Sequence, residues 1–282
     1  MSRIVQLARL NARVAGLALR GRWLGPKEVG AGYDRVAPTY EEAWQRHLRH
    51  TTDELLQRLP DPLSGRILDL GAGTGYAARY LAKANPASSV VAVDISEEML
   101  DRARAQSPPN LSCVAADMLG FARREEAESA ALIVSTWALG YSHAARLLRE
   151  CGRVLVRGGK LAFIVNYSDT LAPVFRAYQR CMLEFPGRVR LAAFPRFPRD
   201  WRFLEGTLSR CGFEVEWHED RQLNIQPPAG EVLAWLRQTG VLAGFDAMLD
   251  LSGAAGAFFE SDLAANRDSL FHHFAMALAR KR

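Results

Sequence analysis

The chain has 282 residues, 49% of them hydrophobic, which is enough for a full α/β core with elaborations, and no apolar run approaches the length of a membrane span. Residues 1–27 hold five Arg and one Lys without an acid, so subtracting +6 from the net charge of +5 leaves about −1 elsewhere, and a nucleic-acid enzyme should show more. The four cysteines, Cys113, Cys151, Cys181 and Cys211, stand far apart with no Cys-x-x-Cys pair; this argues against a metal centre and a disulfide framework and for the reduced thiols of a cytoplasmic protein.

In MSRIVQLARLNARVAGLALRGRW, apolar residues recur at Ile4, Leu7, Leu10, Val14, Leu17 and Ala18 with Arg between them, predicting a basic amphipathic helix. Arg13 interrupts what would otherwise be a secretory apolar region. The preferred reading is a lid helix packed over its own active site, with a membrane-surface helix or a transit peptide as alternatives. Gly25, Pro26, Gly30 and Gly32 read as a hinge, so residues 1–32 form lid and hinge, and a second helix is expected from about Glu41 to Leu59.

From Arg66 short apolar runs alternate with helical stretches. Strands are expected near 66–70, 89–93, 111–115, 131–136 and 160–166, with two more at 213–218 and 274–280. That alternation predicts a doubly wound α/β sheet with ligands at the carboxyl ends of its strands. The first strand runs into LDLGAGTGYAARYLA, residues Leu68 to Ala82. A dinucleotide fingerprint would need glycine at position 76, where Tyr76 stands, and Asp69 would repel a pyrophosphate. A cationic ligand without phosphate is favoured instead, and S-adenosylmethionine, with its ammonium and sulfonium, is one. Asp94 ends the second strand 19 positions after Gly75, placed to accept both ribose hydroxyls, and Asp117 ends the third, where an acid can take an adenine amino group. Either acid alone reads equally as a helix N-cap or turn residue.

With YDRVAPTYEEAW, LDLGAGTG, VDISEEMLDRAR, AADM, VSTWALGYSH, LRECGRVLVRGGKLAF and SRCGFEVEW together, the sequence resembles the class I S-adenosylmethionine-dependent methyltransferases from about Tyr33 to Phe213. The resemblance implies a seven-stranded Rossmann-like sheet whose last strand inserts antiparallel. It implies that Asp69, Gly71, Ala72 and Gly73 hold the methionine end, Asp94 the ribose, and Asp117 with Met118 the adenine. Ile95 and Met99 would pack near the adenosine, Ser135 would join the cofactor set, and Tyr33 and Tyr40 would close over it. Two positions depart from the family pattern: Ala130 or Ala131 replaces the acid that usually opens the fourth strand, and Arg157 replaces the proline of a Pro-Gly-Gly turn.

Methyl transfer needs alignment and exclusion of water more than a strong base, and a carboxylate acceptor needs no base at all. His143 is the candidate base, Tyr33 a second catalytic candidate, and Trp137 and Tyr141 the candidate lining of the acceptor pocket. Residues 33–282 then form a methyltransferase domain with helical cap insertions at about 167–202 and 224–270, the second containing GEVLAWLRQTG with Gly240 as a C-cap. The layout loosely resembles the malonyl-carrier-protein O-methyltransferases, while Tyr33 to Trp44 resembles the quinone C-methyltransferases. Between Arg176 and Arg202, seven arginines face only Glu184 and Asp200, a patch suited to an acidic carrier protein bearing the small-molecule acceptor. A protein that binds the cofactor without transferring its methyl is the alternative from a different class.

Overall fold

The computed structural model describes residues 2–42, 46–60, 62–193, 197–225, 232–265 and 270–282. Along the chain run α1 (Arg3–Leu19), α2 (Pro26–Tyr40), α3 (Arg46–Leu56), β1 (Arg66–Leu70), α4 (Tyr76–Ala84), β2 (Ser89–Asp94) and α5 (Glu97–Arg104). Then come β3 (Leu111–Ala115), α6 (Met118–Arg124), β4 (Ala130–Thr136), α7 (Ala144–Val154), β5 (Leu155–Asn166) and α8 (Ala172–Glu184). The chain continues through α9 (Trp201–Arg210), β6 (Phe213–Asn224), α10 (Val232–Gln238), α11 (Phe245–Met248), α12 (Ala254–Ala264) and β7 (Phe271–Lys281). These elements divide into two compact units: residues 45–170, 196–222 and 273–282 form one, and residues 1–44, 171–195 and 223–272 the other.

The seven strands lie in the order β3-β2-β1-β4-β5-β7-β6. β1 pairs in parallel with β2 and β4, and β7 inserts antiparallel beside β5 with Ile164 opposite Met276. The central strands are near-continuous apolar runs because both faces are covered: Ile67, Leu68, Val90, Val93, Ile133 and Val134 are all fully buried. The parallel order reverses between β1 and β4, which is where an open α/β sheet leaves a crevice at its strand ends. Three strands are longer than expected. β5 begins at Leu155 because Arg157 to Gly159, with Gly158 at φ 77°, bends the strand without ending it. β6 and β7 extend to Asn224 and from Phe271.

The second unit gathers the first two helices and both insertions. α1 packs on α8 and on the short 3-10 turn Pro186–Arg188. Leu24 N donates to Ala192 O (2.8 Å) and Ala192 N to Arg22 O (2.9 Å), tying the chain after α1 to the first insertion. The Tyr178 hydroxyl donates to Phe245 O, and its ring packs edge-on against Phe245 and Phe259, which joins the two insertions.

Two expectations change here. The Gly25 to Gly32 stretch is no hinge: Gly25 is the N-cap of α2, its N–H donates to Glu28 Oε2 (3.0 Å), and Pro26 occupies the first helical position, where its missing N–H costs nothing. Gly32 sits inside the helix because backbone approaches it there; a Cβ would stand 2.6 Å from Gly244 N and 3.0 Å from Ala243 Cα. α2 accordingly runs to Tyr40, and α3 starts at Arg46; part of the helix expected from Glu41 to Leu59 lies outside the described residues. The arginine patch is also less open than its sequence. Arg180 pairs with Asp262 (2.6 Å), and Arg188 (3.0 Å) and Arg190 (2.6 Å) share Asp250, whose carboxyl is held well below the ordinary range first by its bond to Ser252 and then by Arg188.

Candidate active site

The turn after β1 is fastened to β2. Gly71 N (2.7 Å) and Ala72 N (2.9 Å) both donate to Val93 O, and Gly73 N donates to Asp94 Oδ2 (2.7 Å). Three successive amides are thereby consumed within the protein, and these are the donors a pyrophosphate would need. Gly71 adopts φ 79° and Gly73 φ 53°, a left-handed region that side-chain-bearing residues rarely enter. A Cβ on Gly71 would fall 2.1 Å from Ala138 Cβ, whereas one on Gly73 would meet nothing within 4 Å. Gly71 is therefore required by packing, and Gly73 leaves open space for a ligand.

Two carboxylates charge this turn. Asp69 is wholly buried, and neither of its oxygens has a hydrogen-bond partner among the described residues. Burial pushes its pKa up to about 7, with the nearby Asp94 charge adding to the rise; the Ala78 N–H, in the first turn of α4, pulls the other way without completing a hydrogen bond. Asp94 ends β2 and accepts from Gly73 N through Oδ2 and from Ser96 N through Oδ1 (2.9 Å). Asp117 is the N-cap of α6 and accepts from Gly120 N (2.8 Å), leaving its other oxygen for a ligand.

At the end of β4, Trp137 holds φ 66°, strained for a bulky residue. Its N–H donates to Ile164 O (2.8 Å), its indole Nε1 donates to Thr52 Oγ1 (3.2 Å), and its ring stands 4.8 Å from that of Phe274. Those three contacts over-determine its pose. Tyr141, in the 3-10 turn that follows, packs edge-on against Phe197 at 5.6 Å. His143 is the N-cap of α7; its side chain is exposed and makes no capping bond, so it is free to rotate toward an acceptor.

Other expected site residues are placed differently. Met99 is 1% exposed and belongs to the core under α5, and Ser135 is buried with its hydroxyl donating to Leu70 O (2.8 Å), a clasp between β4 and β1 that leaves no proton for a ligand. Met118 is nearly buried, with its sulfur beside Gly71, while Ile95 keeps partial exposure after Asp94. Tyr33 and Tyr40 both lie on α2 in the helical unit, ring to ring at 6.2 Å, against Gly240.

The helix expected from about Glu41 to Leu59 includes α3, but sequence reading gave its side chains no role. Its Asp53 accepts from the Tyr76 hydroxyl (2.6 Å), Arg49 lies 4.8 Å over the same ring, and Thr52 holds Trp137, so one helix braces both the glycine turn and the end of β4. Burial, then Asp53, pushes the Tyr76 phenol up to about 12, keeping it a donor. Sequence reading also missed a polar group at the end of β5. The Tyr167 hydroxyl donates to Asp220, its ring meets His273 edge-on at 4.8 Å, and His273 Nδ1 lies 2.8 Å from Asp169.

Comparison with known proteins agrees with this geometry. Residues 67–159, from β1 into β5, match the family described as the methyltransferase domain. This is a class I methyltransferase fold. The chain is 34% identical over 163 residues to a malonyl-[acyl-carrier protein] O-methyltransferase of Methylococcus capsulatus, covering 56% of each chain. It is 35% identical over 149 residues to the protein of the same name from Halorhodospira halophila, covering 51% of this chain and 49% of that one. The chain thus spans about half the length of the curated relatives it matches. Among solved structures, the [4+2]-cyclase SpnF superposes with a TM-score of 0.60 at 19% identity, covering 91% of this chain and 96% of that one. The methyltransferase fold of residues 67–159 contains the glycine turn and all three strand-end acids.

Proposed function

We propose that the chain is an S-adenosylmethionine-dependent methyltransferase acting on a small-molecule acceptor. The observation that carries this reading is the spending of the Gly71, Ala72 and Gly73 amides on Val93 and Asp94. A turn whose first three amides are spent and that carries two carboxylates, one of them buried without a hydrogen-bond partner among the described residues, suits a ligand that is cationic and free of phosphate. The Asp69 charge would favour the ligand's ammonium, Asp94 at the end of β2 would take the ribose hydroxyls, and Asp117 with Met118 would meet the adenine. Bound there, the sulfonium supplies a methyl that an acceptor lone pair captures as the carbon–sulfur bond breaks and its electron pair stays on sulfur. The chain's own contribution is alignment and exclusion of water. Trp137, locked by Thr52 and Phe274, would set one wall for the acceptor with Tyr141 beside it, and His143 would take a proton where the acceptor carries one.

A second reading, in which the acceptor is a malonyl group on a carrier protein, has the two O-methyltransferase relatives in its favour. Against it stands the pairing of Arg180, Arg188 and Arg190 with Asp262 and Asp250, which removes much of the surface an acidic carrier would use. The test is a labelled-methyl assay on three acceptor pools: malonyl-loaded carrier protein, free small acids, and neutral phenols or quinones. Transfer to a free compound, insensitive to salt, supports the main reading; transfer confined to the carrier and weakened sharply by salt supports the second. Calorimetry must also detect S-adenosylhomocysteine and no NADH. Failure to bind S-adenosylhomocysteine sinks both readings and leaves only a fold.

A further inference from the structure

We propose that α1 docks the protein on the surface of an anionic lipid bilayer. α1 is apolar on two faces. Its inward one, with Leu10, Val14, Leu17 and Ala18, is fastened by Gln6 Nε2 donating to Glu184 (2.6 Å) and Arg13 Nε to Val189 O (2.8 Å), and Leu17 is fully buried. The outward stripe, at positions 4, 8, 12, 15 and 19, is Ile, Ala, Ala, Ala and Leu, with Val5 and Leu7 at its margins. Ile4 is 81% exposed, Leu7 50% and Leu19 90%. Of the seven large hydrophobic residues left exposed among the described residues, five fall between Ile4 and Trp23.

The inward face already has its partners in α8 and the Pro186–Arg188 turn, so this second, outward stripe is what remains to be covered. The occupant must be apolar where it meets Ile4, Leu7 and Leu19 and negative around them. Arg3, Arg20, Arg22 and Lys27 are exposed beside the stripe, and no acid occurs among residues 1–27. A second copy of the same helix would bring these cations together at a cost, whereas anionic headgroups over acyl chains match both the charge and the apolar face. The stripe is short and largely alanine, so apolar burial alone is weak and the charge contribution is needed.

The full chain is tested by flotation with vesicles of phosphatidylcholine, alone or with one third phosphatidylglycerol. Binding is expected only to the anionic vesicles and is expected to fall with salt. The double variant Ile4→Ser, Leu7→Ser should lower the partition coefficient at least about tenfold, since several buried methylenes are lost. Arg20→Gln with Arg22→Gln should lower it by about fivefold per charge. All four residues are exposed, so the fold is kept, and S-adenosylhomocysteine binding by the same preparations reports separately on the cofactor site. No binding to anionic vesicles, binding undiminished by the two serines, or a dimer that the serines disperse in sedimentation velocity would each overturn the proposal.

Discussion

The carboxylate of Asp69 should make cofactor affinity rise with pH near neutrality, a window in which an ordinary carboxylate is already fully ionised and gives no slope. Its pKa rises from 3.8 to about 7 because burial disfavours the charged form. A rise of about three units corresponds to about 4 kcal/mol of cost for holding the charge in the ligand-free protein. Between about pH 4 and 7 the unfolded chain has released this proton and the folded one has kept it. Stability therefore falls as pH rises through that window and levels off above it. A cationic ligand reverses the preference: a positive charge about 5 Å away contributes about 3 kcal/mol at an effective dielectric of about 20, enough to pull the pKa down by about two units. Calorimetry with S-adenosylhomocysteine should show affinity rising about fivefold from pH 6 to 7, and about tenfold from pH 6 to 8, with release of a proton, then flattening above pH 8. Asp69→Asn should abolish that slope, weaken binding at pH 8, and raise the thermal stability of the ligand-free protein at the same pH. Affinity that is flat from pH 6 to 8 in the unmodified protein, or unchanged in Asp69→Asn, would refute the argument that this buried charge recognises a cation.

Asp94→Ala removes the acceptor for Gly73 N as well as the proposed ribose contact, so cofactor affinity should fall by about 2 to 4 kcal/mol, read by the same titration. Gly32→Ala would gain helix propensity of up to about 1 kcal/mol but drive a methyl into Gly244 N, so a net loss of about 1 to 3 kcal/mol is expected in denaturant unfolding; a gain would restore the hinge. His272, whose pKa burial lowers to about 3, is kept neutral in the folded chain while the unfolded chain protonates near 6.5. Its contribution is present above pH 6.5 and lost as pH falls toward 3, at about 1.4 kcal/mol per unit, and His272→Gln should flatten that acid limb in pH-dependent melting. Trp137→Phe and Thr52→Val each delete one side of the same bond, so their stability costs of about 1 kcal/mol should combine less than additively in a double-mutant cycle.

What the sequence made legible was local and periodic. The strand-end acids Asp69, Asp94 and Asp117 could be placed because a buried parallel strand is an apolar run and its end is marked by the first residue that cannot be apolar. The same local reasoning failed wherever a residue answers to something far along the chain. Gly32 looked like a breaker, yet Gly244, more than two hundred residues later, is what forbids a side chain there. Met99 on α5 and Ser135 in β4 were placed by pattern alone, and packing decides which face they occupy: both are buried, with the Ser135 hydroxyl donating to Leu70 O.

Charge was the most misleading signal for the same reason. Seven arginines against two acids is a true count for residues 176 to 202, and it predicts a patch only if nothing else comes near. Folding brings Asp250 and Asp262 from the second insertion, and three of the arginines become struts inside one unit. In residues 1–27 the opposite happens: Arg3, Arg20, Arg22 and Lys27 stay exposed, and Ile4, Leu7 and Leu19 stay exposed with them while Leu10, Val14, Leu17 and Ala18 turn inward. A cluster of like charge therefore carries functional meaning only after its long-range partners have been subtracted, and here the subtraction leaves a surface on α1 and little on α8.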